Sequence, residues 1–277
     1  MFGKLSPFFG FNVSQPIPSG NLFLDTYTGA VAAYSVRKLS SSYSGNALRV
    51  VRTSDNATLD IGFVGNDIDE SAISTFCAGT TGRVSIWYDQ SGNAKHATQS
   101  GNLPLPLIFS SGSLVKTNNK LALRTTTNEV MAVPTTAYTN LVGVAKFESN
   151  NTVNYLTWDG PSGAQGGGFY FGGAFTSNVG LGGFDGTNFN HLGLTSSQVI
   201  INEQIISSRL NAAYNNNSYT DLTAFKSALN LDWLFGRGGS NGLSFGGTVQ
   251  EMIFYNTNNS SNKSGMTTNI NSYYSVY

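Results

Sequence analysis

The chain has 277 residues, with 15 basic and 15 acidic side chains, so its formal net charge at pH 7 is zero. Charged residues make up only 11%, and a neutral surface rich in hydroxyl and amide groups suits sugars or neighbouring proteins and not nucleic acid. A hydrophobic fraction of 40% is enough for a packed core, while a single cysteine, Cys77, excludes an internal disulfide.

The first 20 residues differ from the rest because large apolar side chains alternate there with Pro and Gly. They lack the apolar stretch of a signal peptide, and no run in the chain reaches the roughly 18 apolar residues of a membrane span. We predict an N-terminal arm over 1–20 and one large domain over 21–277. The arm's side chains either fold into the chain's own core, contact lipid or dock into a partner subunit; the docking residues would be Phe2, Leu5, Phe8, Phe9 and Phe11.

Beyond the arm, short segments alternate β-branched and aromatic residues with small polar ones, and turn residues separate them. This pattern predicts strands over 48–52, 83–88, 121–124, 141–147, 155–158, 168–171, 198–206, 243–245 and 248–255. Short capping helices are predicted over 69–76, 219–229 and 264–277. Many short strands with few helices indicate an all-β, two-sheet jelly-roll sandwich.

The segment 160–193 is glycine-rich and carries several Phe residues. Glycines allow strands to approach closely and could leave aromatic faces open as a carbohydrate platform. The simpler interpretation is that they mark bulges and bends in a curved sheet whose Phe side chains belong to the core. Neither this segment nor 236–242 has the pattern of a phosphate-binding loop.

Candidates for catalysis are few. The two histidines, His96 and His191, are far apart, so no metal cluster is predicted, and no serine-nucleophile motif is present. We predict no metal and no cofactor; the acidic run 67–70 indicates a helix start better than a calcium loop. Glycoside hydrolysis needs two facing carboxylates, and the plausible ones each have a structural interpretation as turn or strand residues: Asp89, Asp159, Asp185, Glu203 and Glu251.

The block 33–98 contains Ser54-Asp55-Asn56, Asp60-Ile61-Gly62-Phe63 and Trp87-Tyr88-Asp89-Gln90-Ser91-Gly92. These residues resemble the N-terminal part of the catalytic domain of the B-type α-L-arabinofuranosidases. The resemblance covers about a quarter of the chain and implies a concanavalin A-like β-sandwich. The closing segment 246–277 also resembles the last strand and helix of laminin G-like and concanavalin A-like modules.

The sequence departs from that family at its active site. Cys77 has no nearby partner, the family's adjacent cysteine pair is absent, and its Asp-Leu-Glu-Asn-Gly segment is not found. No catalytic residue is therefore carried over. A sugar site is predicted from aromatic side chains beside carboxylates and amides: Trp87, Tyr88, Asp89, Gln90, Trp158, Asp159, Phe184 and Asp185. The alternative for Trp87 and Tyr88 is that they support the core and the adjoining loop.

A β-sandwich that lacks catalytic motifs indicates a binding protein and not an enzyme. Such sandwiches occur in bacteriophage structural proteins. We predict a spike or fibre protein at the virion surface that binds host surface glycan. Its arm would dock into a capsid or penton-base protein, and it would form a homo-oligomer, with a trimer favoured. The alternatives are a glycoside hydrolase of arabinofuranosidase type with an unrecognised carboxylate pair, and a purely structural capsid component.

Overall fold

The computed structural model describes residues 22–101, 103–126, 128–148, 155–160, 166–173, 179–187, 189–194, 196–237 and 244–277. The predicted arm, with Phe2, Leu5, Phe8, Phe9 and Phe11, lies outside the described residues, so the division into an arm and one domain stays a prediction.

The first half of the described chain forms two short helices and a series of strands. The helices are α1 (Phe23–Thr26) and α2 (Glu70–Phe76). The strands are β1 (Ala30–Ser35), β2 (Leu48–Arg52), β3 (Thr58–Ile61), β4 (Phe63–Val64), β5 (Asp67–Ile68), β6 (Gly82–Trp87), β7 (Ala97–Gln99), β8 (Leu107–Ser110), β9 (Ser113–Leu114), β10 (Lys116–Thr117), β11 (Lys120–Leu121), β12 (Leu123–Thr125) and β13 (Met131–Tyr138).

The second half is mostly strand and closes with a helix. The strands are β14 (Asn140–Phe147), β15 (Thr157–Trp158), β16 (Gly168–Gly173), β17 (Val179–Phe184), β18 (Phe189–Gly193), β19 (Gln198–Ile206), β20 (Arg209–Tyr214), β21 (Thr220–Ala224), β22 (Leu229–Leu234) and β23 (Gly247–Tyr255). A 3-10 turn (Ser260–Asn262) leads into helix α3 (Lys263–Tyr274).

A large curled antiparallel sheet organises the fold. Its strands run in the order β15-β22-β13-β7-β6-β8-β12-β23-β14-β19-β20-β21, with β1 also on β23, β2 on β6 and β3 on β2. A smaller sheet, β16-β17-β18, is formed by the glycine-rich segment. Its Phe169 and Phe171 are fully buried, as the simpler interpretation of this segment predicts. The predicted all-β sandwich is confirmed.

Glycine permits this small sheet to approach β15. A Cβ atom on Gly166 would lie 1.6 Å from the Asp159 carbonyl oxygen, and one on Gly168 would lie 2.1 Å from that of Thr157. Any other residue would push the two segments apart, because contacts that short are sterically forbidden.

Among the predicted helices, two are confirmed and one is wrong. Helix α2 begins after Asp69, whose side chain accepts a hydrogen bond from the Ala72 N–H at 2.9 Å and caps the helix. Helix α3 lies within the predicted 264–277 segment apart from its first residue. The segment 219–229 instead contains strand β21 and the start of β22, because pairing with β20 and β13 decides its conformation.

The centre of the large sheet holds a buried ion pair. Glu251 lies on β23, whose nine residues are all buried, and its carboxylate accepts two hydrogen bonds from Arg37, at 2.7 and 2.9 Å. Ser35 and Tyr274 also donate to Glu251, at 2.7 and 3.2 Å. Burial alone would lower the pKa of Arg37, but the Glu251 carboxylate offsets this and raises that pKa overall. The pair is thus charged and has its hydrogen bonds satisfied.

Removing one partner of the Arg37–Glu251 pair should therefore lower the free energy of unfolding more than removing both. We expect Arg37→Met or Glu251→Leu to lower the free energy of unfolding by about 3–5 kcal/mol, because each leaves a buried charge unpaired. The double variant should lose less than either single variant. Urea unfolding at neutral pH measures these differences.

The exposed pair Arg49–Asp60, with side chains 39% and 33% exposed, provides the control. Arg49→Met should lower the free energy of unfolding far less than either buried variant, because solvent screens surface ion pairs. Equal losses in the buried and exposed variants would contradict the role given to the Arg37–Glu251 pair.

Candidate active site

Two carboxylates lie close together where the large sheet meets the small one. The antiparallel strands β15 and β22 pair Thr157 with Leu234 and Trp158 with Trp233, and the same register continued by one residue sets Asp159 opposite Asp232. Directly opposed residues on such strands have Cβ atoms about 4.5–5.5 Å apart. This spacing places two carboxyl groups within reach of one small ligand.

Hydrogen bonds show that both carboxylates lie on the same face of these strands. Asp159 Oδ1 accepts from the Asn230 amide at 3.4 Å, and Asn230 precedes Asp232 by two residues on β22. Residues two apart on a strand share a face. Asp232 Oδ2 accepts from the Gly160 N–H at 2.7 Å, which brings the Asp232 carboxylate beside the β15 strand.

Further polar groups surround the pair. The Lys226 ammonium lies 3.5 Å from Asp159 Oδ2, with the two side chains 36% and 14% exposed. The Thr135 hydroxyl, on neighbouring β13, donates to Asp232 Oδ1. Donors from two strands and two loops therefore surround both partly exposed carboxylates.

An aromatic cluster packs on the other side of the same strands. It consists of buried Tyr155, Trp158 and Tyr170 with the partly buried Phe184 and Trp233, and it is separate from the main core. The ring of Trp158 stacks on that of Phe184 at 6.2 Å and 14°. The Trp233 indole N–H donates to the Gly160 carbonyl at 3.0 Å. These contacts fix the backbone that carries Asp159 and Asp232.

The structure brings together four of the eight residues predicted to bind sugar. Trp158 stacks on Phe184, and Asp159 contacts Lys226, which lies close to the turn that follows Phe184. Within that turn Asp185 accepts from the Thr187 N–H at 2.8 Å. Trp158 is almost fully buried, whereas Phe184, Trp233 and the two carboxylates are partly exposed.

The other four predicted residues lie elsewhere and make internal contacts. Asp89 is buried, and its carboxylate accepts from the backbone N–H groups of Ala33, Ser91 and Lys95 at 2.8–3.0 Å. The Gln90 amide is buried as well and bonds to the backbone of Ser35, at the end of β1, and of Arg37 and Leu39 just beyond it.

Trp87 and Tyr88 complete that block. Trp87 is buried and stacks on Phe235 at 5.9 Å, and the Phe235 N–H donates to Leu156, two residues before Trp158. The Tyr88 hydroxyl donates to Asp60 at 2.8 Å. The block thus supports the strands near the carboxylate pair, and its assignment as a ligand site stays a prediction.

The sequence analysis missed the β22 half of the site, namely Asn230, Asp232 and Trp233, together with Lys226 and Thr135. The signal was present in residues 229–234, where apolar residues alternate with Asn230 and Asp232. Assigning 219–229 to a helix concealed this alternation.

Glu203 is a separate buried carboxyl group. It lies on β19, is fully buried, and neither carboxylate oxygen has a hydrogen-bond partner among the described residues. Loss of hydration raises its pKa well above 4.5. Below that pKa the group is neutral in the folded protein, since burying an unpaired charge is costly.

This pKa shift predicts a stability that falls with pH. Below about pH 4.5 Glu203 is protonated in both states, whereas above it the unfolded chain releases the proton that the folded chain retains. Folding then weakens by up to about 1.4 kcal/mol per pH unit until the folded pKa is reached. Glu203→Gln should remove this loss, so its advantage over the wild type should grow with pH.

Urea unfolding at several pH values, with the surface variant Glu148→Gln as a matched change, measures the effect. A constant difference between wild type and Glu203→Gln from about pH 4 to pH 8 would contradict it.

Among the described residues, no group of three or more His, Cys, Asp or Glu side chains could hold a metal ion. No helix in the described ranges has both the length and the apolar character to cross a membrane.

Comparison with known proteins decides the family. The family model for the alpha-L-arabinofuranosidase B catalytic domain matches residues 20–190, which is more than half of the chain. The chain belongs to this family. Alpha-L-arabinofuranosidase B from Aspergillus niger is 48% identical over 75 residues, which cover 26% of this chain and 15% of that protein.

Solved structures of the family share the fold. A GH54 α-L-arabinofuranosidase mutant soaked with 4-nitrophenyl α-L-arabinofuranoside matches with a TM-score of 0.66 and 20% identity. An arabinofuranosidase complexed with arabinofuranosyl-α-1,2-xylobiose matches with a TM-score of 0.63 and 20% identity. Both matches cover 87% of this chain and 62% of the other, so the chain spans less than two thirds of these relatives.

These findings correct the functional prediction. A virion spike or fibre protein at the virion surface is wrong, because the family model, the fungal relatives and the structural neighbours all point to glycoside hydrolases. The predicted capsid or penton-base partner and the spike-type homo-oligomer are wrong for the same reason, although glycan binding remains compatible. The prediction against an enzyme is wrong as well. The prediction against an enzyme relied on the absence of the family's catalytic motifs. A search for motifs cannot detect two carboxylates that only strand pairing brings together.

Proposed function

We propose that this chain is a glycoside hydrolase domain that cleaves α-L-arabinofuranosyl linkages, with Asp159 and Asp232 as its carboxylate pair. Membership of the alpha-L-arabinofuranosidase B catalytic family supports the substrate class. The facing of the two carboxylates across β15 and β22 is the observation that carries the proposal. The assignment rests on strand geometry, since the family's Asp-Leu-Glu-Asn-Gly segment is not found in the sequence.

The short spacing favours a retaining reaction. Retaining glycosidases place their two carboxyl groups about 5–5.5 Å apart, whereas inverting ones leave about 6.5–9.5 Å for a water molecule. Directly opposed strand residues have Cβ atoms about 4.5–5.5 Å apart, which allows their carboxyl groups to reach the shorter of these two separations.

The surroundings suggest a role for each group. The Lys226 ammonium stabilises negative charge on Asp159, which suits the nucleophile. Asp232 accepts hydrogen bonds from two neutral donors, the Thr135 hydroxyl and the Gly160 N–H, so we assign it the role of general acid and base.

The proposed reaction has two displacements. Asp159 attacks the anomeric carbon, the glycosidic C–O bond breaks, and Asp232 gives its proton to the leaving oxygen. Water then transfers a proton to Asp232 and attacks the same carbon, which breaks the bond to Asp159 and releases arabinose. Both carboxyl groups end in their starting states, so no co-reactant is needed.

Release of 4-nitrophenol from 4-nitrophenyl α-L-arabinofuranoside tests the proposal. We expect Asp159→Asn and Asp232→Asn each to lower kcat/KM by at least about 100-fold, since a positioned acid or base contributes about 10²–10⁴-fold. Asp221→Asn is the matched control, because this exposed carboxylate pairs with Arg209 and lies on β21, at the opposite end of the strand order from β15, and the change should leave kcat/KM within a few-fold of the wild type.

Adding azide should accelerate turnover by a small-side-chain variant, Asp159→Gly, if Asp159 is the nucleophile, and the product would be an arabinosyl azide. Two results would overturn the proposal: no release by the wild-type protein above the spontaneous rate, or full activity in both Asn variants with unchanged folding by circular dichroism.

A further inference from the structure

A second cavity lies away from the carboxylate pair. It has a volume of about 280 Å³ and is enclosed by the residues before β1, the loop after β1 and the turn that contains Ser91. Among the described residues, no Asp, Glu, Lys or Arg lines it, and it shares no lining residue with the Asp159–Asp232 site. Its size is near the lower end of the roughly 300–1,000 Å³ of small-molecule sites, which fits one sugar ring better than a chain.

Hydroxyl groups line much of this cavity. They come from Thr28, Ser40, Ser42 and Ser91. The Ser40 hydroxyl donates to Asp25 at 2.8 Å, so in the 2.9 Å contact between Ser40 and Ser42 it is Ser42 that donates. The oxygen of exposed Ser42 therefore keeps acceptor capacity for a ligand hydroxyl.

One wall of the cavity is the aromatic ring of Tyr43. Its hydroxyl donates to the Asn46 carbonyl at 2.8 Å, and its ring makes an edge contact with Phe63 at 6.4 Å. Burial raises the pKa of Tyr43 to about 12, so the phenol is neutral at physiological pH. A fixed, neutral aromatic ring beside hydroxyl groups presents both an apolar surface and hydrogen-bonding groups to a ligand.

Two glycines leave the rim open. Gly29 and Gly92 have φ angles of +82° and +89°, and a Cβ atom at either position would meet no atom within 4 Å. Such φ values favour glycine. With no side chain at either position, the backbone there remains accessible to a ligand that enters the cavity.

We propose that this cavity, the Tyr43 pocket, binds a single neutral sugar residue as a non-catalytic subsite. A sugar ring offers an apolar face for Tyr43 and vicinal hydroxyls for Ser42 and the rim backbone. The absence of lining charges disfavours anionic and cationic ligands, and the hydroxyl-rich lining disfavours an apolar one. The inference extends beyond hydrolysis, because the pocket would hold a glycan without reacting with it.

Titration of ¹⁵N-labelled protein with methyl α-L-arabinofuranoside, followed by amide chemical shifts, tests this site. We expect saturable shifts at Gly29, Ser42 and Gly92 with a dissociation constant of about 1–10 mM, which is ordinary for one small ligand. Ser42→Trp should fill the pocket and weaken binding at least about tenfold. Ser264→Trp, at an exposed position on α3, is the matched control and should leave binding unchanged.

The outcomes separate this proposal from the hydrolase proposal. Shifts at the Tyr43 pocket that persist in Asp232→Asn support the subsite whether or not the wild-type protein releases arabinose. Shifts confined to residues around Asp159 and Asp232 would overturn it. An equal effect of the two Trp variants, or no shifts at any amide up to about 50 mM ligand, would overturn it as well.

Discussion

The fully buried strand β23 is the constraint on which the rest of the sheet depends. It pairs with β1, β12 and β14, so three neighbours share one strand whose nine residues are all inaccessible to solvent. Placing Glu251 in its middle requires a charged partner, since an isolated carboxylate there would be costly. Arg37, which lies two residues after the end of β1, meets this requirement, and Tyr274 of α3 also donates a hydrogen bond to Glu251. The ion pair thereby ties the first strand, the last strand and the closing helix together.

The chemistry is proposed where the large sheet meets the small one. The two-residue strand β15 pairs with β22 on one side, and on its other side the Leu156 and Asp159 N–H groups donate to the Phe169 and Gly167 carbonyls. The Asp159 side chain is 14% exposed on one face, while Trp158, the preceding residue, is buried against Phe184 on the other face. Glycines of the small sheet allow this close packing, because the Gly166 and Gly168 positions have no room for a Cβ atom. Rigidity on one face and exposure on the other suit a site that must hold two carboxylates at a fixed spacing.

The family signature and the proposed site contribute in different ways. Residues of the Trp87–Gln90 block bond internally and support the fold, with Trp87 stacked on Phe235 next to the β15 backbone. A segment that relatives share can therefore be structural even where it resembles part of an enzyme domain. The hydroxyl-lined Tyr43 pocket begins at the end of this same block, at Gln90 and Ser91. If both proposals hold, the sandwich would contact glycan at two separate places.

The sequence by itself determined the class of fold and the strongest elements. Alternation predicted β2 and β19 with the observed bounds, an acidic N-cap predicted α2, and the 33–98 block indicated the family. These signals are local, since they depend on side-chain period and capping within a few residues.

Only the tertiary structure determined which residues form the proposed carboxylate site. Residues 219–229 became strand because β13 and β20 pair with them, and this pairing placed Asp232 opposite Asp159, far away in the chain. Strand register decides which side chains share a face, and a shift of one residue would move Asp232 to the opposite side. The absence of catalytic motifs therefore favoured a binding protein. The proximity of the two carboxylates depends on long-range hydrogen bonds between strands, which a local sequence pattern does not show.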